Sequence, residues 1–295
     1  LVAVAAVSIL GTLALVSALR SKESPVVVIK KGGAAEKGLV PPVPPDLHER
    51  VREAVEASGV PRPLDEAGAK VSGDETAITK SYPLEGVTAF SVKNFSGPVS
   101  VEGWDEDEAE VRVVKRGGSR EMRGRLPVLA ARGDDRLSLM SGGGPGTPVS
   151  VAYEIKLPRG MRQVEISADA SDVRVEGLEG TVVVDVKAGE LEFLNVTGTV
   201  RSTVIKGDTK VVYEHAERSG PQEFKVNLGD VEVNFPDEPD AALKAETVDG
   251  EIEADEGLGL RVLKAPAGSH VVGRLGAGRE PLLIRVVNGR IKLRK

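Results

Sequence analysis

Three features of the sequence predict a mainly β fold built from stacked repeats. Glycine and proline number 34 and 18 among 295 residues, while aromatic residues make up only 3%, a mix typical of many short strands separated by turns. From residue 82 onward, apolar and polar residues alternate in short runs that flank a Gly or Asp turn. The turns at positions 172, 189, 207, 229 and 250 are spaced by 17 to 22 residues. Such a period predicts a β-solenoid, or rolled β-sheet, of about 20-residue repeats over residues 82–295, with an ordinary antiparallel sandwich as the alternative.

The amino-terminal segment 1–19 contains no charged side chain. As a helix it would span about 28 Å, which is close to the hydrocarbon thickness of a bilayer. It therefore predicts a transmembrane anchor, with a secretory signal segment as the alternative because positions 16–18 resemble a small-residue cleavage site. Ser8 and Thr12 are small residues at a four-residue spacing, and Gly11 with Leu15 has the same spacing beside them. This face predicts close packing against another transmembrane helix.

Residues 20–45 predict an extended, basic linker rich in proline and glycine. The first 45 residues carry a net charge of +3, which leaves −9 on the remainder of a chain whose total is −6. A basic stem next to the bilayer is attracted to anionic lipid, whereas the acidic body is repelled. Basic residues after the anchor favour a cytoplasmic body by the positive-inside rule, so the orientation stays open between that and an exported body.

Residues 46–59 predict one short amphipathic helix that begins at Asp46. Leu47, Val51 and Val55 recur at helical spacing and share one face. Because so short a helix needs another surface to cover its apolar face, we expect it to cap the end of the solenoid or to contact a partner protein.

Three further stretches are interpreted from composition alone. Residues 60–81 are polar and weakly patterned and predict a second linker or a covering loop. Residues 115–148 contain two glycine-rich runs and predict an excursion from the repeats with flexible loops. The strand near the carboxyl end carries Arg285, Arg290, Lys292 and Arg294, and we expect it to end the solenoid and protect its open edge with charge.

The segments FSVKNFSGPVSVEGWD at 90–105, EVRV at 110–113 and VNGRIKL at 287–293 resemble the bacterial "putative adhesin" β-solenoid domain family. The resemblance covers residues 82–295. It implies a right-handed β-solenoid in an exported or envelope-associated protein, often behind a membrane segment. The family has no established catalytic residues, so the resemblance transfers none.

Composition excludes several kinds of chemistry. The absence of cysteine excludes disulfides, cysteine-ligated zinc, iron–sulfur clusters and cysteine nucleophiles. The three histidines, His48, His215 and His270, lie far apart, and the net charge of −6 disfavours a nucleic-acid partner. No phosphate-binding loop, dinucleotide fingerprint or serine-hydrolase elbow occurs, so no cofactor is predicted.

Two acidic groups remain as alternatives to purely structural turns. Asp105, Asp107 and Glu108 are weak candidates for a calcium site, because calcium prefers several oxygen ligands, but they lack the spacing of a recognised loop. Asp169, Asp172 and Asp185 would have to converge on one face to act as the paired carboxylates of a glycosidase. Aspartate is also an ordinary turn residue.

The sequence allows more than one role for Trp104 and more than one function for the protein. We expect Trp104 to cover the end of the core, with partner contact as a candidate role. The favoured function is a non-catalytic, membrane-anchored accessory subunit that docks on other membrane proteins through anchor, linker and solenoid face, for example in a large energy-transducing complex. The alternatives are an envelope adhesin and a carbohydrate-active β-helix enzyme.

Overall fold

The computed structural model describes residues 61–66, 68–144, 146–265 and 268–295. The predicted mainly β fold is confirmed there, since the strands form two large sheets rich in parallel pairs. Sheet A holds, in spatial order, β1 (Arg62–Pro63), β7 (Val128–Arg132), β8 (Arg136–Ser141), β4 (Ala89–Ser96), β10 (Gln163–Ala170), β12 (Thr181–Ala188), β14 (Val200–Lys206), β16 (Gln222–Leu228), β22 (Pro281–Asn288), β18 (Ala241–Asp249), β21 (Gly268–Leu275) and β20 (Leu263–Ala265). Sheet B holds β19 (Ile252–Ala254), β23 (Ile291–Arg294), β17 (Val231–Asn234), β15 (Thr209–Val212), β13 (Leu191–Leu194), β11 (Val173–Glu176), β5 (Val99–Trp104), β9 (Ser150–Pro158), β6 (Glu108–Arg116), β3 (Glu75–Pro83) and β2 (Lys70–Ser72). These residues also contain helix α1 (Arg120–Arg125) and a 3₁₀ turn at Glu256–Leu258.

Each repeat forms one coil, which gives a strand to sheet A and the next strand to sheet B. Equivalent residues pair in parallel register, so that Val164, Val182 and Val200 lie side by side on β10, β12 and β14. Alternation places one set of side chains inside, and these three are at most 2% exposed. Stacked coils therefore share one core of mostly β-branched side chains between the two sheets.

The predicted glycine turns form a column at one corner between the sheets. In spatial order they are Gly189, Gly207, Gly229, Gly289 and Gly250, with φ between +144° and +155° except for Gly207 at +140°. At each of them, a Cβ would lie within 2.1 Å of the carbonyl oxygen of the turn before it. The regular glycine spacing thus comes from backbones that pass too closely for any side chain.

The last coil in sequence is not the last coil in space, so the prediction that the carboxyl-terminal strand ends the solenoid is wrong. Strands β22 and β23 lie between the coil β16/β17 and the coil β18/β19. Charge explains this position. Arg290 pairs with Asp230 at 3.0 Å on one side, and Arg285 pairs with Glu246 at 2.7 Å on the other. The basic coil is therefore neutralised by acidic coils on both sides.

Residues 60–81 were expected to be a linker or covering loop, but the structure places β1, β2 and most of β3 there. Strand β3 pairs with β6 over nine residues. It buries only Thr76 and Ile78 among its residues, so its own sequence carries little apolar alternation. Pairing with the strongly apolar β6 holds it in place instead.

The two ends of the coil stack are covered by described residues. At one end, Leu64 and Leu126 pack against the core, and a buried cation anchors α1. Lys115 Nζ donates to Glu66 Oε1 at 2.5 Å and to the carbonyls of Arg123 and Leu126. At the other end, Leu258 of the 3₁₀ turn and the following Leu260 and Val262 pack against the core.

The predicted anchor, linker and amphipathic helix, at 1–19, 20–45 and 46–59, lie outside the described residues. Within the described part, no helix has the length and apolarity needed to cross a membrane.

The excursion predicted at 115–148 contains α1, β7 and β8, and of these β8 joins the parallel stack next to β4.

Candidate interaction surfaces

The outer face of sheet B carries a row of alternating charges. Paired positions on neighbouring strands run Arg112, Glu154, Ser100, Arg174, Glu192, Lys210, Glu232, Lys292 and Glu253. Arg112 pairs with Glu154 at 2.7 Å and Arg174 with Glu192 at 2.6 Å. A groove of about 630 Å³ lies over this row. Because its charges are satisfied by each other, the groove presents little unpaired charge to a ligand.

Aspartates at the corner hold neighbouring coils together. Asp172 Oδ1 accepts the backbone N–H of Glu190, and Asp208 Oδ1 accepts that of Asp230. In the same way, Asp230 Oδ1 accepts the backbone N–H of Arg290. Burial opposes ionisation of Asp230, but hydrogen bonds from the Arg290 backbone and side chain, together with the charge of Lys292, hold its pKa below the ordinary value. These carboxylates therefore act as structural acceptors.

The structure does not bring the candidate calcium ligands together as a metal site. Asp105 accepts from Arg159 Nε at 2.9 Å. Asp107 lines a different shallow depression, next to Arg162. In the described part of the chain, no group of three or more His, Cys, Asp or Glu residues is arranged to hold a metal ion.

The three candidate catalytic aspartates do not share one face. Asp172 lines the groove on sheet B, whereas Asp185 lines a groove on sheet A. Asp169 is paired with Lys187 at 2.8 Å. Asp169 and Asp185 lie on the same outer face of sheet A, two register positions apart, but Asp172 lies on the other sheet, so the three do not converge.

Trp104 lies on the outer side of β5, since the alternation along that strand points it away from the core. Its Nε1 donates to the Glu108 carbonyl at 2.9 Å, and Lys156 Nζ lies 5.4 Å from the ring centroid. The expectation that Trp104 covers the end of the core is not met. Its role as a partner contact stays a prediction, as do those of Leu47, Val51 and Val55, which lie outside the described residues.

One region of sheet A differs from the charged surfaces. Of the nine exposed large apolar side chains in the described residues, six lie on the adjacent strands β14, β16, β22, β18, β21 and β20. We call them the apolar strip: Ile205, Leu228, Val248, Leu263, Val272 and Val287. Val248 and Val272 are 58% and 70% exposed. Val248 lies opposite Val287, whereas Leu263 and Val272 lie at the levels of Glu246 and Lys244 on the same sheet. Exposed apolar side chains grouped in this way mark interaction sites.

The register explains how the strip forms. Ile205, Val287 and Val248 each occupy the outward position two residues before a turn glycine, on strands that lie in order with β16 between the first two. The equivalent residue of the coil β12/β13 is Lys187, which follows the expected polar pattern. The sequence contains a signal for the strip, because each of these positions is apolar where the alternation predicts a polar residue. The signal locates a surface only when the spatial order of the coils is known.

Basic side chains lie among and beside the members of the strip, since Lys244 is opposite Val272. On the same face, Arg285 and Lys244 share Glu246, and Arg201 and Lys225 share Glu223. These four cations against two carboxylates leave a local excess of positive charge. A complementary partner would present apolar side chains together with acidic ones.

Residues 68–294 match the model of the family described as Toastrack DUF4097. The chain belongs to the Toastrack DUF4097 family. The match confirms the resemblance seen in residues 90–105 and 287–293, and it extends the Toastrack domain upstream to include β2 and β3.

This Toastrack domain is similar to three solved structures. A "putative cell adhesion protein" from Clostridium sporogenes is 10% identical, with a TM-score of 0.46 over 75% of this chain and 99% of that chain. "Putative adhesins" from Bacteroides fragilis and Parabacteroides distasonis are 11% and 13% identical, with TM-scores of 0.30 and 0.26. They cover 73% and 74% of this chain and 96% and 97% of their own. At these identities few side chains are shared, and no residue role is transferred. A search of curated proteins finds no match to this sequence.

Proposed function

We propose that this Toastrack protein is a non-catalytic, membrane-anchored interaction subunit that docks on another membrane protein through the apolar strip. The strip carries the proposal, because it concentrates exposed apolar side chains on one face of a body whose opposite face is covered by paired charges. Burial of such side chains gives association its main driving force.

The sequence supports docking at a membrane. The uncharged segment 1–19 is long enough to span a bilayer, and its small residues at 8, 11 and 12 allow a second helix to approach closely. A partner that lies in the same membrane would meet the body at high effective concentration. The excess positive charge beside the strip favours an acidic rim on that partner.

The test is affinity purification of the full chain from its native membranes in mild detergent, with co-purifying proteins quantified by mass spectrometry. The disruptive variant is Val248→Glu with Val287→Glu. The matched control is Val71→Glu with Met122→Glu, which adds the same charge at two exposed apolar side chains outside the strip. All four positions are exposed, so each single change is expected to alter folding stability by about 0.5 kcal/mol or less. The two glutamates of the strip variant lie opposite each other, which costs about 0.2–1 kcal/mol more, and urea unfolding of both variants measures that difference.

The proposal predicts a partner that is recovered with the wild type and the control and lost with the strip variant. A partner that is recovered equally with both variants would exclude the strip as the docking surface. An envelope adhesin is the competing function. Degradation of the body by protease added to intact cells, with no strip-dependent membrane partner, would favour the adhesin instead.

A further inference from the structure

A second groove lies on the outer face of sheet A, at the end of the sheet opposite the apolar strip. It has a volume of about 330 Å³ and crosses β7, β8, β4, β10 and β12. Short serine side chains form its floor, and Ser91 Oγ donates to Ser138 Oγ at 2.8 Å. Five strands at about 4.8 Å spacing make the groove about 19 Å long. This elongated shape fits a segment of polypeptide better than a compact small molecule.

One row of outward side chains runs along the groove. On β7, β8, β4, β10 and β12 in turn, the row consists of Leu129, Met140, Lys93, Ser167 and Asp185. Leu129 and Asp185 each lie two strands from Lys93, which is a distance of about 9.6 Å along the row. The row is therefore apolar at one end, basic in the middle and acidic at the other end, at equal intervals.

Lys93 and Asp185 carry charges that are available to a ligand. Both side chains are exposed, and neither forms a hydrogen bond or an ion pair with another described residue. Glu165, the third charged side chain that lines the groove, is paired with Arg136 at 2.8 Å. The groove thus offers one cation and one anion, at a fixed separation, to a ligand of complementary charge.

The interval along the row determines which conformation of the ligand fits. In a polyproline II helix every third residue faces the same way, at intervals of about 9.3 Å. A β-strand repeats on one face about every 6.7 Å and an α-helix about every 5.4 Å, so neither matches the interval of the row. The polyproline II backbone makes no internal hydrogen bonds, and its carbonyls can accept from the hydroxyls of Ser138 and Ser167.

We infer that this groove binds a polypeptide segment in the polyproline II conformation, with the pattern apolar-x-x-acidic-x-x-basic in either chain direction. The apolar side chain contacts Leu129 and Met140. The acidic side chain pairs with Lys93, and the basic one pairs with Asp185. The groove is a second interaction site, separate from the proposed docking surface, because it shares no strand with the apolar strip.

Binding of synthetic peptides to the full chain in mild detergent tests this site. The test peptide is Leu-Pro-Pro-Glu-Pro-Pro-Lys and the matched control is Leu-Pro-Pro-Lys-Pro-Pro-Glu, each with neutral ends, a fluorescent label and a version in the reverse chain direction. Fluorescence anisotropy measures the dissociation constants, and the tighter direction of each peptide is compared. With the wild type we expect the test peptide to bind at least about fivefold more tightly, because only its order of charges pairs with both Lys93 and Asp185.

Exchange of the two charges in the protein should reverse this preference. In Lys93→Glu with Asp185→Lys, we expect the control peptide to bind at least about fivefold more tightly than the test peptide, a result that misfolding cannot produce. The matched protein control is Lys206→Glu with Glu238→Lys, at two exposed positions outside the groove, and it should keep the wild-type preference.

Three results would overturn the proposal. The first is equal affinity of the wild type for both peptides, or no binding of either at about 1 mM. The second is a preference that does not reverse in the charge-exchanged protein. The third is complete displacement of the test peptide by an equal concentration of Gly-Gly, because a site for small zwitterions would then replace a site for a polypeptide segment.

Discussion

Gly207→Ala perturbs the corner where neighbouring coils approach most closely. Gly207 has φ of +140°, and a Cβ there would lie 1.9 Å from the carbonyl oxygen of Gly189. Cβ atoms essentially never come within 3.0 Å of a non-bonded heavy atom. The coil that contains Gly207 and the coil that contains Gly189 must therefore separate by roughly 1 Å.

The expected loss of stability follows from two independent costs. A non-glycine residue in this region of φ costs about 1–3 kcal/mol. Separation of the coils also weakens the hydrogen bonds that join them, from Gly189 N to the Lys206 carbonyl and from Leu191 N to the Asp208 carbonyl, each of which contributes about 1 kcal/mol. We therefore expect Gly207→Ala to lower the free energy of unfolding by about 3–5 kcal/mol.

The assay is urea unfolding of the full chain in mild non-ionic detergent, followed by far-ultraviolet circular dichroism. The matched control is Gly160→Ala, because Gly160 lies in a turn where a Cβ would meet nothing within 4 Å. The control should stay within about 0.5 kcal/mol of the wild type. If Gly207→Ala shifts the unfolding midpoint no more than Gly160→Ala does, the glycine column does not hold the coils at the described distance.

Three further predictions concern polar groups in and around the core. Thr209 Oγ1 is buried without a hydrogen-bond partner in the described structure, so Thr209→Val should raise the free energy of unfolding by about 1 kcal/mol in the same urea assay, and a decrease would contradict this. Glu66→Gln leaves Lys115 Nζ, 1% exposed, without its counter-charge and should cost about 2 kcal/mol, whereas no change would mean that the backbone carbonyls suffice. Because the folded-state pKa of Asp230 is lowered, its contribution is present above the unfolded pKa of 3.8 and lost as pH falls through the folded pKa. The stability gap between wild type and Asp230→Asn should therefore narrow below about pH 4, and a gap that is independent of pH would refute this role for the carboxylate.

The coils could be predicted from the sequence because their cause is local. A turn glycine such as Gly229, with alternating side chains on both sides, specifies one coil whatever its neighbours are. Coil order could not be predicted in this way. The coil that contains Gly289 has the same pattern as the coil that contains Gly250, and parallel pairing accepts either as the next neighbour of β16/β17.

Charge was the available signal for coil order. Residues 281–294 carry four basic and no acidic side chains, whereas residues 241–254 carry Glu246, Asp249, Glu251 and Glu253 against one lysine. A basic coil is most stable between acidic ones. Used at the outset, this rule would have placed β22 and β23 inside the stack rather than at its end.

The candidate surfaces were harder to predict than the fold. The apolar strip depends on which strands become neighbours, so Ile205 and Val287 read as isolated exceptions along the chain. Strand β3 and the buried Lys115 were hidden for a related reason. The counter-charge of Lys115 lies 49 positions away, at Glu66, and β3 pairs with a strand from outside its own neighbourhood in the sequence, so no local pattern reports either of them.

The size of the full chain after extraction from its native membranes in mild detergent tests the central claim most directly. If the protein is a docked interaction subunit, the wild type should migrate in a complex well above its own mass of 31.0 kDa, and Val248→Glu with Val287→Glu should release it as a monomer. Wild-type protein that migrates as a lone 31.0 kDa chain in its detergent micelle would contradict the proposed function.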